Sequence, residues 1–275
     1  MARHYGIVGF PVGHSKSPQM QEAGFKAIGL DASYVLLETS PEMLAARISS
    51  LRQDGFDGWN VTVPHKEKVL PLLDWVDDEA IAAGSVNTVL NQNGRLLGYT
   101  TDGYGLEQAA MEAFGISFKD ASIVFLGTGG AARAAAVYAA RHGAKQLYLV
   151  NRTIQRAEAL RETIAKAASR AAASVISLYD VAAIAEAASV CQMLFQCTSI
   201  GLRPGDEMPM PVDALPKSIA VMDMVYGQTQ FRQNAARHGC RTADGIGMLL
   251  HQGCKAFEIW TGRKAPIQAM RNALA

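Results

Sequence analysis

The sequence is poor in cysteine and almost without net charge, and each shortage removes a class of protein. Its four cysteines, at positions 191, 197, 240 and 254, include no C-x-x-C pair. They read as ordinary thiols of a reducing compartment rather than a disulfide frame or a zinc site, so no metal is expected. A formal net charge of +1 leaves no excess that points to nucleic acid or a membrane surface as partner. No uncharged apolar stretch approaches the roughly 20 residues that a membrane-crossing helix requires. The opening residues run straight into strand-like sequence, without a charged segment followed by a long apolar run, so no signal peptide is expected. No internal repeat is evident. The expectation is a cytoplasmic protein, and 275 residues suffice for two α/β domains that each bury a core.

Short apolar runs alternate with helix-length segments from end to end. Strands are expected at 6–10, 33–37, 57–63, 86–90, 95–99, 122–126, 146–150, 174–177, 193–197 and 219–223. Helices are expected at 41–53, 131–142 and 153–168, among others. Such alternation favours a mainly parallel sheet covered on both faces. The exception is 86–99, where Asn93-Gly94 between two short strands signals a hairpin. The Ala-rich stretch from Ala157 to Ala188 carries charges at helical intervals and reads as surface helices. Loops before Asp102 are rich in Ser, Thr, Asn, His and Lys, and a compact βαβ pattern follows. From Asp244 the chain is mostly helical and is expected to pack back on the first domain.

The strand at 122–126 runs into Gly127-Thr128-Gly129-Gly130-Ala131-Ala132-Arg133 and then a helix. This is G-x-G-x-x-A in the strand–turn–helix setting of a dinucleotide site. The first glycine permits the tight turn, the second lets backbone approach a pyrophosphate, and small Ala132 allows close helix packing. The helix N-terminus offers free N–H groups to the phosphates. Where an NAD site places an acid on the ribose, this chain has Asn151-Arg152-Thr153, with Arg156 one turn on. Arginine there suits a 2′-phosphate, so NADP is expected over NAD. Arg161, Lys166 and Arg170 further along read as a solvated helix face.

Three polar clusters stand in the first hundred residues. In the first, His14-Ser15-Lys16-Ser17-Pro18, Ser17 fits a helix N-cap and Pro18 the first helical position. Just past a strand end, the same residues suit a hydroxylated or anionic ligand. In the second, Asn60-Val61-Thr62-Val63-Pro64-His65-Lys66, alternation sets Asn60 and Thr62 on one face. A lone lysine is ordinarily surface charge; beside these two, Lys66 becomes a candidate acid/base. The third pairs Asn87-Thr88 with Thr101-Asp102-Gly103. The hairpin could bring Asn87 and Asp102 toward Lys66, although an Asp before Gly is often only a turn residue.

Together these pieces resemble the shikimate dehydrogenase family. The resemblance runs through Gly9-x-Pro11-x-x-His14-Ser15-x-Ser17-Pro18, Asn60-x-Thr62-x-Pro64-x-Lys66, Val86-Asn87-Thr88, Thr101-Asp102-Gly103, the glycine turn and Asn151-Arg152-Thr153. It continues through Thr198-Ser199-x-Gly201, Asp223-Met-Val-Tyr226 and Asp244-Gly245-x-Gly247-Met248-Leu249-x-x-Gln252. It implies an α/β fold of two domains, with a substrate-binding domain at 1–102 plus 244–275 and a Rossmann NADP-binding domain at 103–243. It implies NADPH-dependent reduction of 3-dehydroshikimate to shikimate, by a monomer or homodimer. Lys66 and Asp102 would be the catalytic pair. Ser15, Ser17, Thr62, Asn87, Asp102, Tyr226 and Gln252 would bind the substrate. Gly127, Thr128, Gly129, Gly130, Ala131, Asn151, Arg152, Thr153 and Arg156 would hold the cofactor. Met224, Gly245 and Met248 would line its nicotinamide, and Asp78 aligns with a position sometimes assigned to the cofactor.

Four departures from the family pattern bear on specificity. Thr100 replaces the usual Asn before Thr-Asp-Gly, Gln196 the usual Asn before Thr-Ser-x-Gly, and Ser85 the usual Ala before Val-Asn-Thr. The stretch after Tyr226 is short and lacks its proline. Two other readings follow. One is a quinate/shikimate dehydrogenase or a paralogue acting on a related ring acid. The other is an NADP-binding regulatory protein without turnover, against which the Lys66/Asp102 pair speaks. A methylenetetrahydrofolate dehydrogenase is set aside because its Tyr-x-x-x-Lys signature is absent from the first domain.

Overall fold

A computed structural model describes residues 2–203 and 205–275. The strands are β1 (Arg3–Gly9), β2 (Ala32–Glu38), β3 (Gly58–Val61), β4 (Trp75–Val76), β5 (Thr88–Gln92), β6 (Arg95–Tyr99), β7 (Ser122–Leu126), β8 (Gln146–Asn151), β9 (Ala172–Ser177), β10 (Met193–Gln196), β11 (Ala220–Asp223) and β12 (Arg241–Asp244). The α-helices are α1 (Ser17–Ala27), α2 (Leu44–Gln53), α3 (Asp78–Ala83), α4 (Asp102–Phe114), α5 (Gly130–Arg141), α6 (Ile154–Ala167), α7 (Val181–Ser189), α8 (Gln230–His238), α9 (Ile246–Thr261) and α10 (Ile267–Asn272). The chain forms two compact units. The first runs to Gly105 and resumes at Leu249; the second is Leu106–Met248.

The first unit holds a mixed sheet of order β2-β1-β3-β5-β6-β4. Strand β1 pairs in parallel with β2 and β3, while β5 runs antiparallel to β3 and β6. The β5–β6 hairpin turns at Asn93 (φ 54°) and Gly94 (φ 88°), the conformation that the Asn-Gly pair predicts. One face buries Val8, Leu51, Trp59, Val61 and Val89. Against the other lie the C-terminal helices. Tyr5 stacks on Phe25 and meets Trp260, Phe25 stacks on Phe257, and the Trp260 indole donates to Val89 O at 2.9 Å. Gly58 is required beneath that indole, since a Cβ there would collide with Trp260 and with Val89 O.

The second unit is an all-parallel sheet of order β12-β11-β10-β7-β8-β9. The chain winds outward from β7 through β8 to β9, then returns beside β7 and winds the other way. That reversal is the doubly wound arrangement, and ligands bind where it puts two loops apart at the strand carboxyl ends. The core gathers Val124, Leu126, Val150, Leu194, Val221 and Phe231.

Three details differ from expectation. The strand expected over 57–63 ends at Val61, because the Thr62 carbonyl closes a turn with the His65 amide. Strands β4 and β12 are not anticipated: β4 is two residues long, and β12 is a half-exposed polar edge without an apolar run. Ser17 is not the N-cap of α1. Lys16 occupies that position, because the Ser15 hydroxyl accepts the Ser17 amide at 3.2 Å and turns the chain one residue earlier.

Candidate active site

Strand β3, the β5–β6 hairpin and the start of α4 converge on a small polar array in the first unit. Lys66 stands just past the turn that ends β3, its carbonyl bonded to Val86 N at 2.9 Å. Asn87 leads into β5, and Asp102 opens α4 directly after β6. Lys66 Nζ meets Asp102 Oδ2 at 2.6 Å, with 12% and 4% of the two side chains exposed. Asn87 Nδ2 reaches Asp102 Oδ1 at 2.8 Å, Thr101 Oγ1 at 2.9 Å and Gln252 Oε1 at 3.3 Å. Both oxygens of the carboxylate therefore accept from a donor. An ion pair this dry persists only when its lone pairs are so satisfied. The ammonium carries three protons, and the bond to Asp102 uses one.

Of the remaining candidates of this unit, Gln252 meets the array through Asn87. Ser15 and Ser17 sit at the entry to α1, with Ser17 buried and Ser15 half-buried. Thr62 packs its methyl against Gly9, where a Cβ has no room, and bonds Val8 O through its amide at 2.8 Å. Gln252 is steadied on α9 by its bond to Leu249 O at 2.8 Å. Asp78 stands exposed in the first turn of α3, in this unit and not in the one that carries the glycine turn.

In the second unit the loops after β7, β8, β10, β11 and β12 leave the same carboxyl edge of the parallel sheet. Gly127, at φ 93°, is wedged so closely against Thr198 and the Cys197 backbone that only glycine fits. Gly129 takes the cap position of α5 with open space around it and no side-chain cap, leaving amides free. The Thr128 hydroxyl is buried without a partner. An uncapped helix start, an orphaned hydroxyl and an open glycine fit a pyrophosphate. Asn151 ends β8 and bonds Thr153 O at 2.9 Å, which shapes the turn carrying exposed Arg152 and, one turn into α6, Arg156. Arg161, by contrast, pairs with Glu158 on the solvent face. Met224 and Gly245 follow the paired ends of β11 and β12, and a Cβ at Gly245 would strike Met224 O. Met248 is buried, and Tyr226 is half-exposed in the loop after β11.

Sequence patterns do not single out Tyr34 or give a task to Gln196. Tyr34 is a buried strand tyrosine whose phenol donates to Asn60 Oδ1 at 2.7 Å. Burial pushes that phenol well above its ordinary pKa, opposed in part by the Ser17 hydroxyl, so it stays protonated. Gln196 ties the loop after β10 to the end of β11. It accepts the Thr198 amide and donates to Ile200 O at 2.9 Å and Asp223 Oδ1 at 3.3 Å. Asp223 also accepts from Thr229 and from Val225 N; burial raises its pKa, and those bonds oppose the rise. The unusual glutamine thus has a structural task. The buried hydroxyls of Ser85 and Thr100 have no partner, and nothing in the structure explains those two departures.

Three family models match along the chain. The shikimate dehydrogenase substrate-binding domain matches residues 7–89, the shikimate/quinate 5-dehydrogenase model residues 108–203, and the shikimate 5′-dehydrogenase C-terminal domain residues 245–275. A shikimate dehydrogenase (NADP(+)) of Desulfitobacterium hafniense is 41% identical, covering 100% of this chain and 98% of its own. The shikimate 5-dehydrogenase of Thermus thermophilus, solved with NADP(H) and shikimate, superposes with a TM-score of 0.86 at 35% identity over 99% of this chain and 98% of that one. The Listeria monocytogenes enzyme, solved with shikimate and NAD, gives 0.92 at 32% identity over 100% and 96%. Similarity of this extent, carried through both units, means that the chain belongs to the shikimate dehydrogenase family.

Proposed function

We propose that the protein interconverts 3-dehydroshikimate and shikimate as an NADP-dependent oxidoreductase. The observation that carries this reading is the buried contact of 2.6 Å between Lys66 Nζ and Asp102 Oδ2. Reduction of a ring ketone adds a hydride to carbon and a proton to oxygen. NADPH, when bound, supplies the hydride. Lys66, as the ammonium, stabilises the charge that grows on the carbonyl oxygen and donates a proton to it. In the oxidation direction the neutral amine accepts that proton from the hydroxyl. Asp102 holds the ammonium in place and accepts from a ring hydroxyl, while Asn87 keeps the carboxylate turned toward both.

Ser15, Ser17, Thr62, Asn87, Gln252 and Tyr226 complete the recognition of hydroxyls and carboxylate. The glycine turn and α5 hold the pyrophosphate, and Asn151, Arg152, Thr153 and Arg156 take the adenosine end with its 2′-phosphate. The exposed arginines, with no acid at the end of β8, favour NADP over NAD. Met224, Gly245 and Met248 line the nicotinamide. In this reading residues 1–102 with 244–275 bind substrate and 103–243 bind cofactor, in a cytoplasmic monomer or homodimer. Asp78 gains no support beyond its alignment.

The test is absorbance at 340 nm with shikimate and NADP, beside quinate and NAD as competing pairs. Lys66→Ala and Lys66→Met should each lose about 10²–10⁴-fold in turnover, the usual worth of general acid–base action. Shikimate binding should be mostly kept. Near-normal turnover in both variants would remove Lys66 from the mechanism.

A further inference from the structure

Tyr34 on β2 is 2% exposed, so it cannot touch a substrate, yet it begins a hydrogen-bond chain that ends on the ion pair. The direction of that chain follows from its fixed members. Asn60 Nδ2 faces Asn87 O at 3.0 Å and Thr88 Oγ1 at 3.1 Å. A backbone carbonyl only accepts, so the amide nitrogen must face it and the amide oxygen must face Tyr34. That oxygen also only accepts, so the phenol donates, at 2.7 Å. Thr88 Oγ1, having accepted from Asn60, donates to Asn87 Oδ1 at 3.1 Å, where Thr101 N also donates at 2.8 Å. Asn87 must then turn its nitrogen to Asp102. Every proton in the series points one way, from the phenol to the carboxylate that holds Lys66.

We propose that Tyr34 is a positioning residue for the reaction, acting through Asn60 to hold Asn87, Asp102 and Lys66 in their working orientation. This rests on the oxidoreductase reading above. The phenol's own proton is committed to Asn60, and burial keeps it protonated, the Ser17 hydroxyl opposing that rise in part. One buried oxygen therefore starts the chain to the ion pair. Removing it orphans Asn60 Oδ1 in a dry site, where the amide gains by rotating away from Thr88. The Thr101 amide still holds Asn87, so the loss is partial.

The experiment uses the full chain as wild type, Tyr34→Phe, Asn60→Leu and the double variant. Shikimate oxidation with NADP gives kcat and KM, and thermal melts report folding. Tyr34→Phe should lower kcat about tenfold, the cost of one orphaned buried acceptor, and shift KM for shikimate by less than about twofold. In the Asn60→Leu background the same substitution should change kcat by less than about twofold, because no acceptor is left to orphan. Wild-type kcat in Tyr34→Phe, a change in KM alone, or the same factor lost in both backgrounds would overturn the proposal. Were Tyr34→Phe to fail to fold, equal kcat in Asn60→Leu and the double variant would support it, and unequal values would overturn it. Wild-type protein without shikimate turnover would sink the oxidoreductase reading and this inference with it. Wild-type turnover with an unaffected Tyr34→Phe sinks the inference alone.

Discussion

Asp77 shows how a single side chain can serve a helix and still oppose folding at neutral pH. It caps α3 by accepting the Ala80 amide at 2.9 Å. Burial nevertheless pushes its carboxyl up to about 6; the Ala80 amide opposes the shift, and the nearby charges of Glu79 and Asp78 add to it. A carboxyl whose folded pKa lies above its unfolded value stabilises the fold most below about pH 4, and that stability is lost as pH rises through about 6. Above pH 7 the ionised group costs about 1 kcal/mol, once the full shift is discounted for the water that still reaches it. Asparagine caps a helix as well as aspartate and has no charge to bury. Urea melts should find Asp77→Asn about 1 kcal/mol more stable than wild type at pH 8 and level with it at pH 4. A difference of equal size at both pH values would show that burial of charge is not its cause.

At the scale of elements, in the proposed reading the turn between β8 and α6 decides which dinucleotide is favoured. Asn151 shapes it through its bond to Thr153 O, and Arg152 stands exposed with its guanidinium open to a ligand. Arg152→Ala should raise KM for NADP about 10–100-fold, as expected for loss of a charge-assisted bidentate contact, and leave KM for NAD nearly unchanged. Equal effects on both cofactors would mean that Arg152 does not read the 2′-phosphate. This turn was legible because its chemistry lies in consecutive residues, as does that of the glycine turn and the Asn93-Gly94 hairpin. Lys66, Asn87 and Asp102 were legible as polar residues at strand ends, although their meeting depended on which strands pair. Tyr34 was not legible. A tyrosine in an apolar strand looks like core, and only the parallel pairing of β1 with β2 and β3 carries it to Asn60, 26 residues away. Strand β12 was hidden for the opposite reason, since an exposed edge needs no apolar pattern.

On the scale of the whole molecule, each unit has its own core, but only one of them is continuous in sequence. The first unit takes about its last fifth from the chain end, Leu249–Ala275. Trp260 bonds Val89 O and packs on Tyr5, Phe257 stacks on Phe25, and Gln21 bonds Gly253 O at 3.0 Å. Without that segment one face of the first sheet loses its aromatic cover, and removal of a single such side chain already costs about 3–5 kcal/mol. A domain of this size has only about 5–15 kcal/mol of net stability, so losing several contacts at once unfolds it. In sequence the second unit falls between the two segments of the first, and it takes none of its described sheet or core from the chain end. A chain ending at Met248 should therefore keep a folded second unit that binds NADPH, seen as a change in nicotinamide fluorescence. It should lose shikimate binding, turnover and the amide protection of β1, β3 and β5 in hydrogen exchange. Retained protection in those three strands would show that the first sheet holds without α9 and α10, and loss of NADPH binding would show that the second unit depends on them.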